Sequence, residues 1–237
     1  SRPSISSPCS LDPSTNPMRT SSSPRLCKIT LVGPPRSGKS SLILRRTHEI
    51  YQPDYPLFDV YDFGPIRIHV RDSEEGSELG TVIPTALFDS QGVEEYDMLR
   101  PLSYPHTNIF LICFPLGGIA SDDTDSTDFG VARNRWMPEI RHFCGPDVVV
   151  FLVGCKSDLL RTEESSQQEL NRLRAGDQAA REIGAQAYME CSALTGVGVF
   201  ELFECAAKAG VRHIPIAEVA RRATRRRWQC SPECVVS

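Results

Sequence analysis

The stretch Gly33-Pro34-Pro35-Arg36-Ser37-Gly38-Lys39-Ser40 stands between a short apolar run, Leu26 to Val32, and a stretch with helical character, Ser40 to Glu49. It matches the pattern G-x-x-x-x-G-K-[ST], and a strand before it and a helix after it are the context in which this pattern binds a polyphosphate. Backbone N–H groups of such a loop surround the phosphates at the positive end of the helix. Lys39 is therefore expected to reach the outer phosphates, and the Ser40 hydroxyl to join the shell of a Mg²⁺ ion.

Two prolines at the entry of the loop limit which amides can face a phosphate. Pro34 and Pro35 have no N–H, so the donors nearest the phosphates must come from the residues that follow. The alternative interpretation is a Gly-rich turn between a strand and a helix that holds no ligand. The residues expected to bind phosphate are Gly33, Arg36, Ser37, Gly38, Lys39, Ser40 and Ser41.

Apolar runs alternate with helical patterns along the rest of the chain. Continuous runs are typical of strands buried on both faces of a sheet, whereas Ile66 to Val70 alternates and should face water on one side. The polar stretch Ser73 to Gly80 is predicted to be the turn of a hairpin. The order of strands and helices predicts an α/β fold with a mostly parallel, six-stranded sheet and helices on both faces. Strands are predicted at 26–32, 66–70, 81–88, 108–114, 148–153 and 187–191, and helices at 40–49, 133–142, 176–184 and 199–209.

The two ends of the chain differ in composition from its middle. Residues 1–25 contain nine Ser and five Pro, which predicts a disordered arm. Residues 26–210 are expected to form one domain, and residues 211–237 a basic tail. From Arg212 onward six Arg and two Glu give a charge of +4, whereas the whole chain carries -4. A basic tail on an acidic body favours an anionic surface as partner, and nucleic acid is not expected.

Composition also excludes several classes of protein. With 40% hydrophobic and 24% charged residues the chain can bury a core, yet it has no apolar run long enough for a membrane-spanning helix. Residues 1–25 lack the apolar centre of a signal peptide. The nine cysteines include no C-x-x-C pair, so neither a disulfide framework nor a zinc site is expected. These features favour a reducing cytosol.

A motif after the third predicted strand resembles a part of GTP-binding proteins that contacts the metal and the γ-phosphate. Asp89-Ser90-Gln91-Gly92 follows the pattern D-x-x-G. The resemblance implies that Asp89 supports the water shell of the metal and that the Gly92 N–H lies near the γ-phosphate.

Two later motifs resemble the parts of GTP-binding proteins that recognise the base. Gly154 to Asp158 is similar to [NT]-K-x-D, which implies that Lys156 and Asp158 bind the nucleotide and that Asp158 accepts both donors of the guanine edge. Adenine offers no matching N1–H and 2-amino donors. The loop Cys191-Ser192-Ala193-Leu194 resembles one that receives the guanine oxygen on a backbone N–H, here at Ser192 and Ala193.

The longest resemblance is to Rho-type small GTPases of the Ras superfamily. Glu94 to Pro105 and Thr107 to Phe114 are similar, nearly letter for letter, to the second switch and the fourth strand of that family, and Trp136 to Ile140 adds to the match. The resemblance covers roughly Leu26 to Gly210 and the tail. It implies a P-loop NTPase G domain that binds GTP or GDP with Mg²⁺. The implied partners are an exchange factor, an activating protein, a dissociation inhibitor and effectors of Rho type, in signalling to polarity or the actin cytoskeleton.

The resemblance also assigns two further features. Tyr51 occupies the place of an aromatic residue that stacks on guanine, with a partly buried hydrophobic residue as the alternative interpretation. Between the two base motifs the chain is longer than in Ras-like proteins and shorter than in typical Rho proteins. A helical insert around Ser165 to Leu173 is therefore expected to be trimmed.

Four positions depart from the family pattern. Pro35 replaces a glycine, Val93 replaces the glutamine that orients the attacking water, and Cys155 replaces the Asn or Thr of the guanine motif. Phe58, or Leu57 if the alignment is shifted by one, stands where a threonine would ligate Mg²⁺ and sense the γ-phosphate. These departures predict that nucleotide stays bound while hydrolysis is slow.

The expected enzyme is a GTPase that converts GTP to GDP with Lys39, Ser40 and Gly92 as its catalytic residues. One alternative is an interaction module that does not hydrolyse GTP and is held in one nucleotide state, which Val93 favours. A P-loop ATPase or nucleotide kinase is a third possibility, and Asp158 argues against it.

The tail predicts a lipid anchor. Cys234-Val235-Val236-Ser237 has the order C-a-a-X, in which a final Ser favours a farnesyl group on Cys234. Because one lipid gives only marginal attachment, a second signal is expected, and Cys230 is a candidate for palmitoylation. The expected location is the cytoplasmic face of the plasma membrane. Five arginines supply attraction to anionic lipid: Arg221, Arg222, Arg225, Arg226 and Arg227.

Overall fold

A computed structural model describes residues 26–52, 61–70, 81–90, 92–116, 129–160 and 166–211. Several predictions lie outside these residues: the arm 1–25, the turn 73–80, the switch position at residues 57 and 58, and the tail beyond residue 211 with both cysteines assigned to lipid. The strands are β1 (Cys27–Val32), β2 (Tyr61–Val70), β3 (Thr81–Asp89), β4 (Ile109–Pro115), β5 (Val149–Cys155) and β6 (Ala187–Glu190). The helices are α1 (Lys39–His48), α2 (Met137–Cys144), α3 (Ser166–Ile183) and α4 (Val199–Val211).

The strands form one six-stranded sheet in the order β2-β3-β1-β4-β5-β6. The four pairings β1–β3, β1–β4, β4–β5 and β5–β6 are parallel, and β2 pairs antiparallel with β3. The predicted mostly parallel sheet is confirmed. Because β1 lies in the middle, the loop that follows it opens at the carboxyl edge of the sheet, beside the ends of β3 and β4.

Alternate residues of β4 enter two separate cores, one on each face of the sheet. Leu111 and Cys113 pack with Leu42 of α1 and Phe203 of α4 on the first face. Phe110, Ile112 and Phe114 pack with Trp136 and Ile140, on and before α2, on the second face. Helices therefore cover both faces, which is why the strands between them are continuous apolar runs.

Strand β2 starts five residues before its alternating apolar stretch. The strand begins at Tyr61, and the register shifts between Phe63 and Ile66, where Gly64 and Pro65 interrupt regular pairing. Over the predicted part, Ile68 and Val70 are buried whereas Arg67 and His69 are exposed, so the predicted alternation is confirmed.

The helix predicted at 133–142 begins with a different geometry. A π-helical segment, Ala132–Trp136, runs directly into α2 (Met137–Cys144), which has Pro138 in its first turn. Proline has no N–H to close a regular turn, and a π-helical stretch before it absorbs the change.

Helix α3 begins ten residues before the helix predicted at 176–184. Residues 166–183 form one continuous helix of 18 residues, and the trimming of an insert around Ser165 to Leu173 stays a prediction. Gly176 does not interrupt the helix, because it lies where α3 approaches β6 most closely. A Cβ at Gly176 would lie 2.1 Å from the ring of Tyr188.

The described residues include four α-helices, α1 to α4. None of them is both long enough and apolar enough to cross a bilayer.

Candidate nucleotide-binding site

The loop after β1 has a backbone that requires glycine at two positions. Gly33 has a φ of 144°, and a Cβ there would lie 2.1 Å from the carbonyl oxygen of Cys113. Gly38 precedes α1 with a φ of 107°, a region that side chains of L-residues rarely adopt. The two glycines of the G-x-x-x-x-G-K-[ST] pattern therefore set the bend of the loop, whatever residues stand between them.

The Lys39 side chain binds backbone carbonyl groups on the inner side of this loop. Its Nζ donates to the carbonyl oxygens of Gly33 at 2.9 Å and Pro34 at 2.8 Å, and lies 3.4 Å from Ser37 Oγ. The side chain is buried, and burial lowers the pKa of Lys39 while the nearby Asp89 carboxylate opposes that shift. A buried ammonium group thus lies beneath the concave side of the loop, where an anion would compensate its desolvation.

One of the amides assigned to phosphate is turned inward. The Ser37 N–H donates to the Pro34 carbonyl at 3.3 Å, a long bond that closes a turn inside the loop. Arg36 follows in the left-handed region with a φ of 60° and is exposed. Ser41 lies in the first turn of α1 and is half-buried.

Ser40 and Asp89 meet at the edge of the sheet. The Ser40 hydroxyl donates to Asp89 Oδ2, and Asp89 Oδ1 is buried with no hydrogen-bond partner within the described residues. Burial raises the pKa of the Asp89 carboxyl, opposed by the Ser40 hydrogen bond and by Lys39. A hydroxyl beside a carboxylate with one unsatisfied oxygen is a donor set that fits Mg²⁺, which prefers oxygen ligands and keeps several waters.

The start of the second switch packs tightly against the phosphate loop. A Cβ at Gly92 would lie 2.3 Å from the carbonyl oxygen of Gly33 and 2.6 Å from backbone atoms of Pro34 and Pro35. Val93 follows in extended conformation, with φ -79° and ψ 149°. Its carbonyl oxygen accepts from Arg100 Nη2 at 3.1 Å. The side chain at position 93 brings no polar atom to this site.

The two base motifs lie beside each other at the ends of β5 and β6. The Ser192 hydroxyl donates to Asp158 Oδ1, and the Thr195 N–H donates to Ser192 Oγ at 3.1 Å. The Ser157 N–H donates to the Cys191 carbonyl at 3.1 Å. Asp158 is exposed while Ser192 is buried, so one carboxylate oxygen is fixed in a loop that is open to a ligand.

Contacts around Cys155 join the base loops to the phosphate loop. A Cβ at Gly38 would lie 3.4 Å from Cys155 Cβ and 4.0 Å from its Sγ. The Cys155 thiol donates to the Val153 carbonyl at 3.8 Å. The position thus connects the two loops by packing, and Lys156 after it adopts a φ of 59° that turns the chain toward Asp158.

The remaining predicted residues are near the site but less constrained. Ala193 is 8% exposed and follows Ser192 in the same loop. Tyr51 lies beyond α1 and is 40% exposed, so its stacking on guanine stays a prediction. The structure therefore brings the phosphate residues together at the end of β1 and the base residues together at the ends of β5 and β6.

Sequence reasoning missed a cluster of ion pairs that holds the second switch against α2. Arg100, whose side chain has no exposed surface, donates to both carboxylate oxygens of Glu139 at 2.8 and 3.1 Å and also pairs with Asp97. Arg135 binds Asp97 at 2.8 and 3.1 Å. The two guanidinium groups lie over the Trp136 ring, with centroid distances of 4.7 and 5.1 Å. The spacing of Asp97 and Arg100 was the only signal of this cluster in the sequence.

Tyr104 completes this cluster. Its hydroxyl donates to Glu139 Oε1, and burial together with that hydrogen bond raises the pKa of Tyr104. The phenol therefore stays neutral and acts as a donor. We call Asp97, Arg100, Tyr104, Arg135, Trp136 and Glu139 the switch cluster.

Comparison with known proteins agrees with this arrangement. The model of the Ras family matches residues 28–211, which is more than half of the chain. The chain is 38% identical over 186 residues to a protein named GTP-binding protein RHO1 from Candida albicans, with 74% of this chain and 83% of that protein covered. The family supports binding of GTP and GDP and GTPase activity in general. The chain is a Rho-type small GTPase of the Ras superfamily.

Proposed function

We propose that this protein binds GTP and GDP with Mg²⁺, hydrolyses GTP slowly, and acts in Rho-type signalling from the cytoplasmic face of a membrane. The observation that carries the slow hydrolysis is the start of the second switch. Val93 has no polar side-chain atom, and its carbonyl oxygen is already bound by Arg100 at 3.1 Å. Neither group of this residue is therefore placed to orient a water molecule.

The phosphate loop adds a second obstacle to hydrolysis. A Cβ at Gly92 would lie 2.3 Å from the Gly33 carbonyl oxygen and 2.6 Å from backbone atoms of Pro34 and Pro35, so there is no room for a side chain between the loop entry and the start of the switch. In this family water attacks the γ-phosphate, and the protein stabilises the developing charge. Lys39 and the loop amides would supply that stabilisation here, and Ser40 and Asp89 would hold the Mg²⁺ ion, which neutralises charge on the phosphate oxygens when bound.

A single-turnover assay on protein loaded with GTP tests this proposal. We expect a rate at least about tenfold below that of an ordinary Rho-type GTPase measured beside it, because removing one group that stabilises the transition state costs about 10²–10³ in rate. Val93→Gln supplies an amide and should raise the rate, whereas Val93→Leu is the matched apolar control and should not. An ordinary rate for the unmodified protein, with full stimulation by a Rho-type activating protein, would refute slow hydrolysis.

The alternative is a module that hydrolyses no GTP, and the switch cluster favours it. Because Arg100 binds Glu139 of α2 and Arg135 binds Asp97, the second switch has protein partners that give it a reason to keep one conformation in both nucleotide states. Hydrogen exchange of residues 92–104 with GDP and with a GTP analogue discriminates between the two functions. Equal protection in both states and no turnover over hours would establish the module. A nucleotide-dependent difference with slow turnover supports the slow GTPase.

Exposed apolar side chains on the second switch support partners of Rho type. Met98 is 90% exposed, Leu102 75% and Leu99 56%. The three residues lie within the short segment 98–102. Arg100 of the switch cluster holds this segment against α2 through its ion pair with Glu139. We propose that exchange factors, activating proteins, dissociation inhibitors or effectors contact this apolar surface. Met98→Glu should abolish such binding in a pull-down with no change in nucleotide content, whereas Arg133→Ala on α2's π-helical lead-in should not.

The composition of the tail supports attachment to a membrane. The C-a-a-X pattern at Cys234 and the five nearby arginines provide a lipid site and a basic segment. Cys234→Ser should release the protein to the cytosol, and Cys230→Ser should weaken attachment less. Membrane retention of the Cys234 variant would contradict the lipid anchor.

A further inference from the structure

We propose that Arg172 of α3 is a positioning residue for guanine recognition, acting through Glu190 on the two base loops. This inference rests on nucleotide binding through Asp158 and goes beyond it, since neither Arg172 nor Glu190 belongs to a nucleotide motif. Arg172 lies within the segment that resembles a trimmed insert, so the proposal gives that segment a role at the site.

Arg172 and Glu190 form a buried, two-pronged ion pair. Arg172 Nε donates to Glu190 Oε1 at 3.0 Å and Nη2 donates to Oε2 at 3.2 Å. The Glu190 side chain is 2% exposed and the Arg172 side chain 17%. The Tyr188 hydroxyl donates to the same Glu190 Oε1 at 2.7 Å. A planar guanidinium on a carboxylate fixes orientation as well as distance, because both oxygens are engaged.

The close approach of α3 to β6 makes this ion pair possible. Gly176 lies four residues after Arg172, so both are on the same face of the helix. A side chain at Gly176 would collide with the Tyr188 ring. The helix thus rests directly on β6, and Arg172 reaches the end of that strand.

Glu190 stands where both base loops leave the sheet. It is the last residue of β6 and lies opposite Gly154, which begins the motif that ends at Asp158. The Cys191 N–H donates to the Gly154 carbonyl at 2.9 Å. A Cβ at Gly198 would lie 2.5 Å from the Glu190 carbonyl oxygen, so the returning end of the second base loop also packs on this residue. A rotation of Glu190 would therefore displace both loops together.

Loss of Arg172 would remove the guanidinium that binds both oxygens of a carboxylate whose side chain is 2% exposed. A buried carboxylate that loses its charged partner moves toward water. The two base loops, which leave the sheet beside Glu190, would move with it. Asp158 and the Ala193 amide would lose their alignment, whereas the Ser192 N–H already donates to the Val197 carbonyl at 2.9 Å. The phosphate loop is held by Lys39 and the glycines, so its geometry should persist.

The test compares dissociation of GDP with that of inosine diphosphate, which lacks the 2-amino group that Asp158 would accept. For Arg172→Ala we expect GDP to dissociate about tenfold faster, at the low end of what loss of an outer supporting partner costs a bound ligand. Dissociation of inosine diphosphate should accelerate less, so the preference for guanine falls. The matched control is Arg133→Ala, which removes an exposed pair that also joins α3, through Glu182.

Two milder variants keep the test decisive if Arg172→Ala does not fold. Arg172→Lys keeps the charge but cannot bind both oxygens in one plane, and Tyr188→Phe removes only a hydroxyl. Each should reduce the guanine preference by an intermediate amount. Equal acceleration of both nucleotides, or values that match Arg133→Ala, would overturn the proposal. Because dissociation requires neither hydrolysis nor a membrane, failure here is distinct from failure of the proposed function.

Discussion

The switch cluster makes the substitution Glu139→Ala a quantitative test of how firmly the second switch is held. The change removes the acceptor of two Arg100 hydrogen bonds and of the Tyr104 hydroxyl. Removing one partner of a buried ion pair costs about 3–5 kcal/mol. Because Asp97 still pairs with Arg100, and Glu139 is 15% exposed in its side chain, we expect a loss of about 2–3 kcal/mol in the free energy of unfolding.

Urea unfolding at fixed GDP and Mg²⁺ concentration measures this loss, since bound ligand changes the apparent stability. For a domain of this size the loss corresponds to a decrease of about 5–10 °C in Tm. Glu182→Ala is the control, because it breaks the exposed Arg133 pair, and such surface pairs contribute about 0–1 kcal/mol. Amide hydrogen exchange of residues 92–104 should accelerate in Glu139→Ala and not in the control.

Two outcomes would refute this reasoning. If Glu139→Ala and Glu182→Ala lose the same stability, the buried arginine does not depend on Glu139. If stability falls but exchange of the second switch is unchanged, the cluster stabilises α2 without holding the switch. The double variant Arg100→Met with Glu139→Met should recover part of the loss, because replacing both charges avoids an unpaired one in the interior.

Three further predictions concern the glycines and the acidic residue of the switch cluster. Gly33→Ala should abolish nucleotide binding in a fluorescence titration, because the added methyl group would lie 2.1 Å from the Cys113 carbonyl oxygen. Gly176→Ala should lower Tm and speed GDP release together, because it pushes α3 away from Tyr188. Although burial opposes the shift, hydrogen bonds from two arginines lower the pKa of Asp97 below 3.8, the ordinary value of an aspartate side chain. Its contribution to stability is therefore present above that value and lost as the pH falls through the lower folded pKa, so exchange of the second switch should accelerate in strong acid and stay constant from pH 5 to 8.

The central strands could be predicted from sequence because each is buried on both faces and therefore continuously apolar. Strand β4 is an example, with Phe110 and Leu111 entering opposite cores. The first half of β2 escaped prediction because Gly64 and Pro65 resemble a turn, and the strand continues across them with a shift in register. Local pattern therefore sufficed where burial is symmetric and failed where Gly64 and Pro65 interrupt it.

Hydrophobic periodicity did not predict the first half of α3, for a different reason, and only the resemblance indicated a helix there. Ser166 to Arg174 has Leu170 and Leu173 as its only apolar residues. It therefore shows no continuous apolar face that would predict a helix. One partner that it gains on folding is the buried Glu190, 18 residues further along the chain from Arg172, and Leu173 packs against the second core. An ion pair of this kind depends on α3 lying on β6, which periodicity does not reveal.

The residues around the site likewise divide into those that a local motif predicted and those that no local pattern predicted. Gly33, Gly38 and Lys39 were found from the motif, because the loop geometry follows from glycine conformations and one lysine at fixed spacing. Arg100 and Glu139 are 39 residues apart, and they meet because β4 returns the chain to the same edge of the sheet. Their contact depends on topology, so no local pattern contains it.

These two kinds of interaction explain how binding and hydrolysis can separate in one chain. Nucleotide binding depends on backbone amides and on Lys39, and the prolines at the loop entry remove donors without altering the bend set by Gly33. The slow hydrolysis that we propose depends on the side chain at position 93, because valine has no polar atom with which to orient a water molecule. The Arg100 and Arg172 ion pairs then fix the second switch and the base loops from outside the phosphate site. Neither pair includes a residue of the phosphate-loop motif, so we expect both pairs to persist in the GTP and GDP states, and the energetic difference between the two states should then be smaller than in a switch held by the γ-phosphate alone.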